Sequence, residues 1–224
     1  MTRRTLHYFW EGGKKPRLVR KCLASWARVM PGCAIKEWNL KRLAEAGIEV
    51  RSRFFDETVA LGKWGFVIDV VRWAVLAKEG GIFLDADVEL VKPLPEGTWL
   101  SAEKDNPLVV NPGQGVSFPV GHPFALAALK EYEKMAFDPD NMVACASPHV
   151  ITRMLGRADV PKILPARMMN PLGWSGGRLG RLAEDCCSIH WYAASWFNWK
   201  QRLVYQTFPR MGIDIGKIIR WFRR

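Results

Sequence analysis

The stretch from residue 66 to residue 87 constrains the fold more than any other part of the chain. Phe66 to Glu79 reads as a helix that is apolar nearly all round, because Val67, Val70, Val71, Trp73, Ala74, Leu76 and Ala77 leave no wide polar face. Gly80-Gly81 stops it. Ile82-Phe83-Leu84 follows as a continuous apolar run, the pattern of a central strand covered on both faces. A buried helix feeding a buried strand belongs to a layered α/β sheet.

The flanking sequence repeats the alternation. Thr5 to Trp10 is a β-rich run ending at Gly12-Gly13. Pro16 then starts a helix carrying Leu18, Cys22, Leu23, Trp26 and Val29 to Met30 at helical spacing, until Pro31-Gly32 ends it. Ala34 to Trp38 reads as a second strand, and Asn39 as the cap of a helix through Ala46. Beyond Pro93, the runs Trp99 to Ala102, Val109 to Asn111 and Gly115 to Phe118 read as short strands, and Pro123 to Phe137 and Pro148 to Leu155 as helices. From Val160 to Ser188 the many Pro and Gly residues give no regular pattern. The expectation is an α/β fold whose ligand site lies beyond the carboxyl ends of the strands.

With 224 residues, 49% of them apolar, the chain can bury one core, so a single domain over residues 1–211 is expected, followed by a tail at 212–224. The net charge of +11 favours anionic partners without choosing among nucleic acid, anionic lipid and phosphorylated ligands. The five cysteines form no CxxC pair, which fits reduced thiols. Met1-Thr2-Arg3-Arg4 opens onto no signal-peptide core, and no run approaches the roughly 20 apolar residues of a spanning helix. A cytoplasmic location is therefore expected.

In Leu84-Asp85-Ala86-Asp87-Val88 the carboxylates sit two apart, so on an extended backbone they leave the same side. Two such charges repel unless a cation lies between them, and hard oxygens prefer Mg²⁺ or Mn²⁺. The spacing alone is equally compatible with a solvated acidic turn. Asp69 and Arg72, three apart, share a face of the preceding helix. An ion pair within so apolar a helix is expected to be buried and directed at the same strand end.

These residues resemble one family. His7-Tyr8-Phe9-Trp10 before a Gly-rich loop, Cys22 with Ser25-Trp26, and Pro31 followed by Trp38 are similar to the opening of the DXD-containing glycosyltransferases of the yeast initiation mannosyltransferase and bacterial capsular-polysaccharide type. Lys63, Asp69, Arg72, Leu76 and the block Gly80 to Asp87 match that family's centre. Gly121-His122-Pro123, Pro148 with Thr152, and His190 followed by Ser195-Trp196 continue it.

The resemblance implies a GT-A type, Rossmann-like nucleotide-sugar fold with a mixed central sheet flanked by helices, related to the clostridial glucosylating toxins. It implies Mn²⁺ or Mg²⁺ and a nucleotide-sugar donor, a UDP-sugar favoured over GDP-mannose. Carried over residue by residue, Asp87 is a direct metal ligand, and Asp85 serves ribose or sugar and, through water, the metal. His190 completes the shell. Asp69 and Arg72 bind the donor sugar, with Arg72 and Lys63 adding positive charge near the phosphates. Phe9 and Trp10 line the base site, Asn111 touches sugar or acceptor, and Ser195 and Trp196 close over the β-phosphate. His122 is expected to be structural, ahead of Pro123.

The family implies retention at the anomeric carbon. With no carboxylate placed as a covalent nucleophile, that points to front-face substitution. A glycan or lipid-linked glycan in bacterial polysaccharide synthesis is the implied acceptor. The tail mixes Ile213, Ile215, Ile218, Ile219, Trp221 and Phe222 with Lys217, Arg220, Arg223 and Arg224, as an interfacial helix on an anionic inner leaflet would, or as a basic helix docked on the domain would. Two other classes compete: a DxD phosphohydrolase, which would leave Asp69 and Arg72 without a role, and a basic nucleic-acid binder, for which no recognised motif appears.

Overall fold

The computed structural model describes residues 4–156, 160–172 and 182–193. Ser195, Trp196 and the tail at 212–224 lie outside them.

Strand β1 (Thr5–Phe9), helix α1 (Arg17–Val29) and strand β2 (Ala34–Trp38) form the first unit, with β1 and β2 parallel. Asn39 caps α2 (Leu40–Glu45) by accepting from Arg42 N. A further helix, α3 (Arg53–Ala60), was not expected, although Ser52 caps it by accepting from Phe55 N. The long helix α4 (Trp64–Glu79) begins two residues before the predicted start and leads into β3 (Gly81–Phe83).

Short elements then alternate: β4 (Val88–Leu90), β5 (Trp99–Asp105), β6 (Leu108–Val110), β7 (Val116–Phe118), α5 (Pro123–Glu133), α6 (Met142–Cys145) and α7 (Ser147–Met154). Within the segment that gave no pattern lie β8 (Lys162–Leu164) and α8 (Ala166–Met169), and β9 (Ser188–His190) begins at its end.

The main sheet runs β2-β1-β3-β7-β5-β6, with β8 pairing on β5. Pairing of β3 with β1 is parallel and with β7 antiparallel, so the sheet is mixed and β3 is central. Alternate residues feed two cores. Phe9 and Phe83 join α3, α4, α5 and α7 on one face. Leu6, Tyr8, Ile82 and Leu84 join Trp26, Val88 and Trp99 on the other. No helix among the described residues is long and apolar enough to cross a membrane.

The bend between α4 and β3 is sterically fixed. Gly80 and Gly81 have φ of +63° and +95°, and a Cβ on Gly81 would lie 2.8 Å from both Thr5 O and His7 Nε2. His7 is the reason for that close approach. Trp38 donates its Nε1–H to His7 Nδ1 at 3.0 Å, so Nε2 carries the imidazole proton and bonds Gly80 O at 2.9 Å. The neutral ring thus ties β2, β1 and the bend together.

Burial pushes the His7 imidazole down to about 4, against the lift from its bond to Gly80. The unfolded chain ionises this group near pH 6.5, so the stability it contributes is complete above pH 6.5 and is lost as pH falls through 4. The loss amounts to about 3 kcal/mol. Urea titrations between pH 7 and 4 should show the native protein losing more stability than His7→Gln, and parallel pH profiles would refute this account.

Candidate active site

Immediately after β3 the chain leaves the sheet. Leu84 N still bonds His7 O at 3.0 Å, Asp85 N bonds Gly113 O at 2.9 Å, and Val88 N bonds Asp85 O at 3.0 Å. Asp85 to Asp87 therefore form a turn between β3 and β4, not the extended strand end that the period-two argument assumed. The carboxylates converge because the turn folds them together.

The turn is held from below by α1. Trp26 Nε1 donates to Val88 O at 2.7 Å, and Ser25 Oγ accepts from Leu90 N at 2.8 Å while donating to Cys22 O. That is a structural reason for the Cys22, Ser25, Trp26 pattern. From the other side β4 pairs antiparallel with β9, setting Val88 opposite His190. Trp191 N donates to Asp87 O, which locks the turn to the end of β9.

One oxygen of each carboxylate is tied down and the other faces a common centre. Arg72 Nη2 donates to Asp85 Oδ1 at 2.7 Å, while Asp85 Oδ2 lies 3.9 Å from His190 Nε2. Ala193 N donates to Asp87 Oδ2 at 2.6 Å, while Asp87 Oδ1 lies 3.3 Å from the same imidazole nitrogen. Asp85, Asp87 and His190 thus each present one ligand atom within 4.8 Å of the others. Two hard carboxylate oxygens suit Mn²⁺ or Mg²⁺, and the borderline imidazole nitrogen favours Mn²⁺ of the two, so these residues fit a divalent ion.

The surrounding charges are balanced by burial. Arg72 is fully buried and also donates to Asp69 at 3.2 Å, and Asp69 accepts in turn from Ser147 N at 3.0 Å. Burial lifts the Asp69 carboxyl to about 6, against the pull of Arg72. It also lifts Asp85, opposed by Arg72 and His190. At Asp87 burial works the same way, yet the charge and hydrogen bond of His190 hold it below the ordinary carboxylate range. Burial disfavours the His190 imidazolium, but Asp87 raises its pKa overall.

The other predicted residues are placed as follows. Phe9 is buried in the main core with its ring stacked on Trp64 at 6.4 Å, so packing is its visible role. Trp10 is half-buried at the end of β1, its Nε1 donating to Gly13 O. Lys63 is the residue that precedes α4. Asn111 caps the turn at 112–114 through Gly113 N, and its amide donates to Glu103. His122 caps α5 by accepting from Phe124 N, and Thr152 Oγ1 accepts from Val110 N.

Residues not singled out in the sequence complete the site. A Cβ on Gly113 would run into Asp85 Oδ2, so a larger residue there would displace the carboxylate. Its place in Asn-Pro-Gly-Gln-Gly was the available signal. Gln114, Asn170 and Tyr192 meet behind His190 and carry no local signature.

A similar fold occurs in the solved structure of the PaToxG glycosyltransferase, which matches 68% of this chain and 68% of that one with a TM-score of 0.51 and 16% identity. A mixed sheet whose central strand leads into a DxD turn, with this match, places the chain in the GT-A type of fold. Residues 16–106 match the family described as "Glycosyltransferase sugar-binding region containing DXD motif", a span that includes Asp69, Arg72, Asp85 and Asp87. Residues 16–106 therefore carry a region similar to that of the DXD-containing glycosyltransferases.

A curated relative, "Subversion of eukaryotic traffic protein A" from Legionella pneumophila, is 28% identical over 115 residues. The match covers 41% of this chain but 18% of that protein. These findings favour the glycosyltransferase reading over the phosphohydrolase and nucleic-acid ones.

Proposed function

We propose that the protein is a metal-dependent, retaining hexosyltransferase that moves a sugar from a nucleotide sugar, a UDP-sugar in preference to GDP-mannose, to a glycan or lipid-linked glycan. One observation carries this reading: Asp85 Oδ2, Asp87 Oδ1 and His190 Nε2 converge within 4.8 Å, while the other carboxylate oxygens are held by Arg72 and Ala193 N. Preorganised ligands of this kind cost nothing to assemble when the donor arrives.

Asp87 and His190 would hold Mn²⁺ or Mg²⁺ directly, and Asp85 would serve the metal through water and the donor ribose or sugar. Bound there, the ion would neutralise the charge that develops on the leaving diphosphate. Arg72 has both terminal nitrogens committed to Asp69 and Asp85, so it acts by fixing those carboxylates and by its charge. Asp69 keeps lone pairs free for a sugar hydroxyl. Lys63, at the start of α4, adds positive charge from the rim. Trp10 is better placed than Phe9 to stack on the base, because Phe9 is consumed by the core. Asn111 faces the sugar or acceptor, and Ser195 with Trp196 closes the donor site. Retention then follows by front-face attack, the leaving phosphate taking the acceptor proton.

The test is release of UDP or GDP from a panel of UDP-sugars and GDP-mannose, with and without Mn²⁺. Release from one donor should vanish with EDTA, return with added Mn²⁺, and shift from hydrolysis to transfer when anionic vesicles carrying a lipid-linked acceptor are supplied, with the tail at 212–224 as the membrane contact. Turnover indifferent to EDTA would sink the metal-dependent reading.

A further inference from the structure

His190 is the least tethered member of the cluster. Each carboxylate has one oxygen held by a neighbour, but His190 Nδ1 is buried and has no hydrogen-bond partner among the described residues. Metal-binding imidazoles are ordinarily oriented by a hydrogen bond from the second ring nitrogen. Among the described residues that device is missing, so another contact must fix the plane of the ring.

The Tyr192 ring lies against the imidazole, with centroids 4.0 Å apart and planes 29° from parallel. Its backbone is unusual. At φ +47°, Tyr192 is the one non-glycine residue with positive φ among the described residues. That conformation costs a bulky side chain roughly 1–2 kcal/mol and persists only where other contacts over-determine it.

The contacts that do so are at the hydroxyl. Tyr192 Oη accepts from Asn170 Nδ2 at 2.6 Å and from Gln114 Nε2 at 3.2 Å. All three side chains are buried. Gln114 follows Gly113, whose backbone passes Asp85, and Asn170 ends α8. Trp191, between the two stacked residues, is drawn elsewhere by Glu89 and by the ammonium of Lys21 over its ring. Residues 190 and 192 stack on one side of the chain.

We propose that Tyr192 is a positioning residue for the metal site: its ring, pinned at the hydroxyl by Gln114 and Asn170, fixes the His190 imidazole so that Nε2 faces Asp85 and Asp87. The inference rests on the metal reading of that cluster. The strained backbone is then part of the site, since it is what returns the residue-192 side chain over residue 190.

The test is Mn²⁺ affinity, read from the EPR signal of free Mn²⁺ during titration of the full chain. Tyr192→Phe keeps the ring but loses its hydroxyl anchors, and its Mn²⁺ affinity should fall between those of native and Tyr192→Asn. Tyr192→Asn removes the ring at a position where Asn tolerates positive φ, and its affinity should fall about 10- to 100-fold, the usual effect of losing a residue that orients a ligand. In a His190→Ala background, Tyr192→Asn should change affinity no further.

Native-like binding by Tyr192→Asn would overturn the proposal. So would an equal loss in both backgrounds, or a loss in Tyr192→Phe as large as that in Tyr192→Asn. If Tyr192→Asn does not melt cooperatively, Tyr192→Gly carries the same comparison without backbone strain. A native protein that shows no saturable Mn²⁺ binding refutes the metal reading itself, an outcome distinct from failure of the Tyr192 assignment alone.

Discussion

Asp87→Asn should lower kcat/KM about 1,000-fold, the scale expected when several kcal/mol of transition-state charge stabilisation are lost. The amide is chosen over alanine because its oxygen can still accept from Ala193 N, the contact that holds the turn at the end of β9. Removing the charge while keeping that bond separates chemistry from folding. Thermal melting of Asp87→Asn without metal should stay close to native, and donor turnover should not respond to added Mn²⁺. Asp85→Asn is expected to be less clean, because the Asp85 charge also compensates the buried Arg72 guanidinium.

Arg72→Met should be the most destabilising single change in the site. The guanidinium is fully buried between Asp69 and Asp85, which belong to different elements, and its loss strands two part-buried carboxylates without their shared cation. Breaking a buried ion pair in this way costs about 3–5 kcal/mol, equivalent to a fall in Tm of roughly 10 °C for a chain of this size. Arg72→Lys should recover only part of the loss, since an ammonium cannot bridge two carboxylates as a planar fork does. Asp69→Asn in the Arg72→Met background should restore some stability by removing one stranded charge. Chemical denaturation of the four proteins checks the series, and an Arg72→Met variant as stable as native would contradict the account.

The parts of this molecule legible in its sequence are those specified locally. Helix α4 and strand β3 followed from an apolar helix, two glycines and an apolar run, and the glycines proved to be demanded by the approach of His7 and Thr5. The pairing of Asp69 with Arg72, and their direction toward Asp85, followed from helical spacing alone. What the sequence hid is what depends on distant partners. Strands β4 and β9 have three residues each and exist because they pair across about a hundred positions. The Asp85–Asp87 turn was misread as extended because nothing local announces that β9 will draw Asp87 O and Oδ2 toward Trp191 N and Ala193 N. The Gln114–Asn170–Tyr192 contact is wholly tertiary. By contrast α3 could have been read, since Ser52 is a favoured cap and Phe54 and Thr58 sit one turn apart on the buried side.

The central claim is that the DxD turn and His190 bind a nucleotide sugar through a divalent ion. Thermal stabilisation by nucleotide sugars, measured with and without Mn²⁺ in the native protein and in Asp87→Asn, tests it most directly. The account predicts a rise in Tm with one donor that requires Mn²⁺ and is absent in the variant. A donor-induced rise of equal size without metal, or retained in Asp87→Asn, would contradict it.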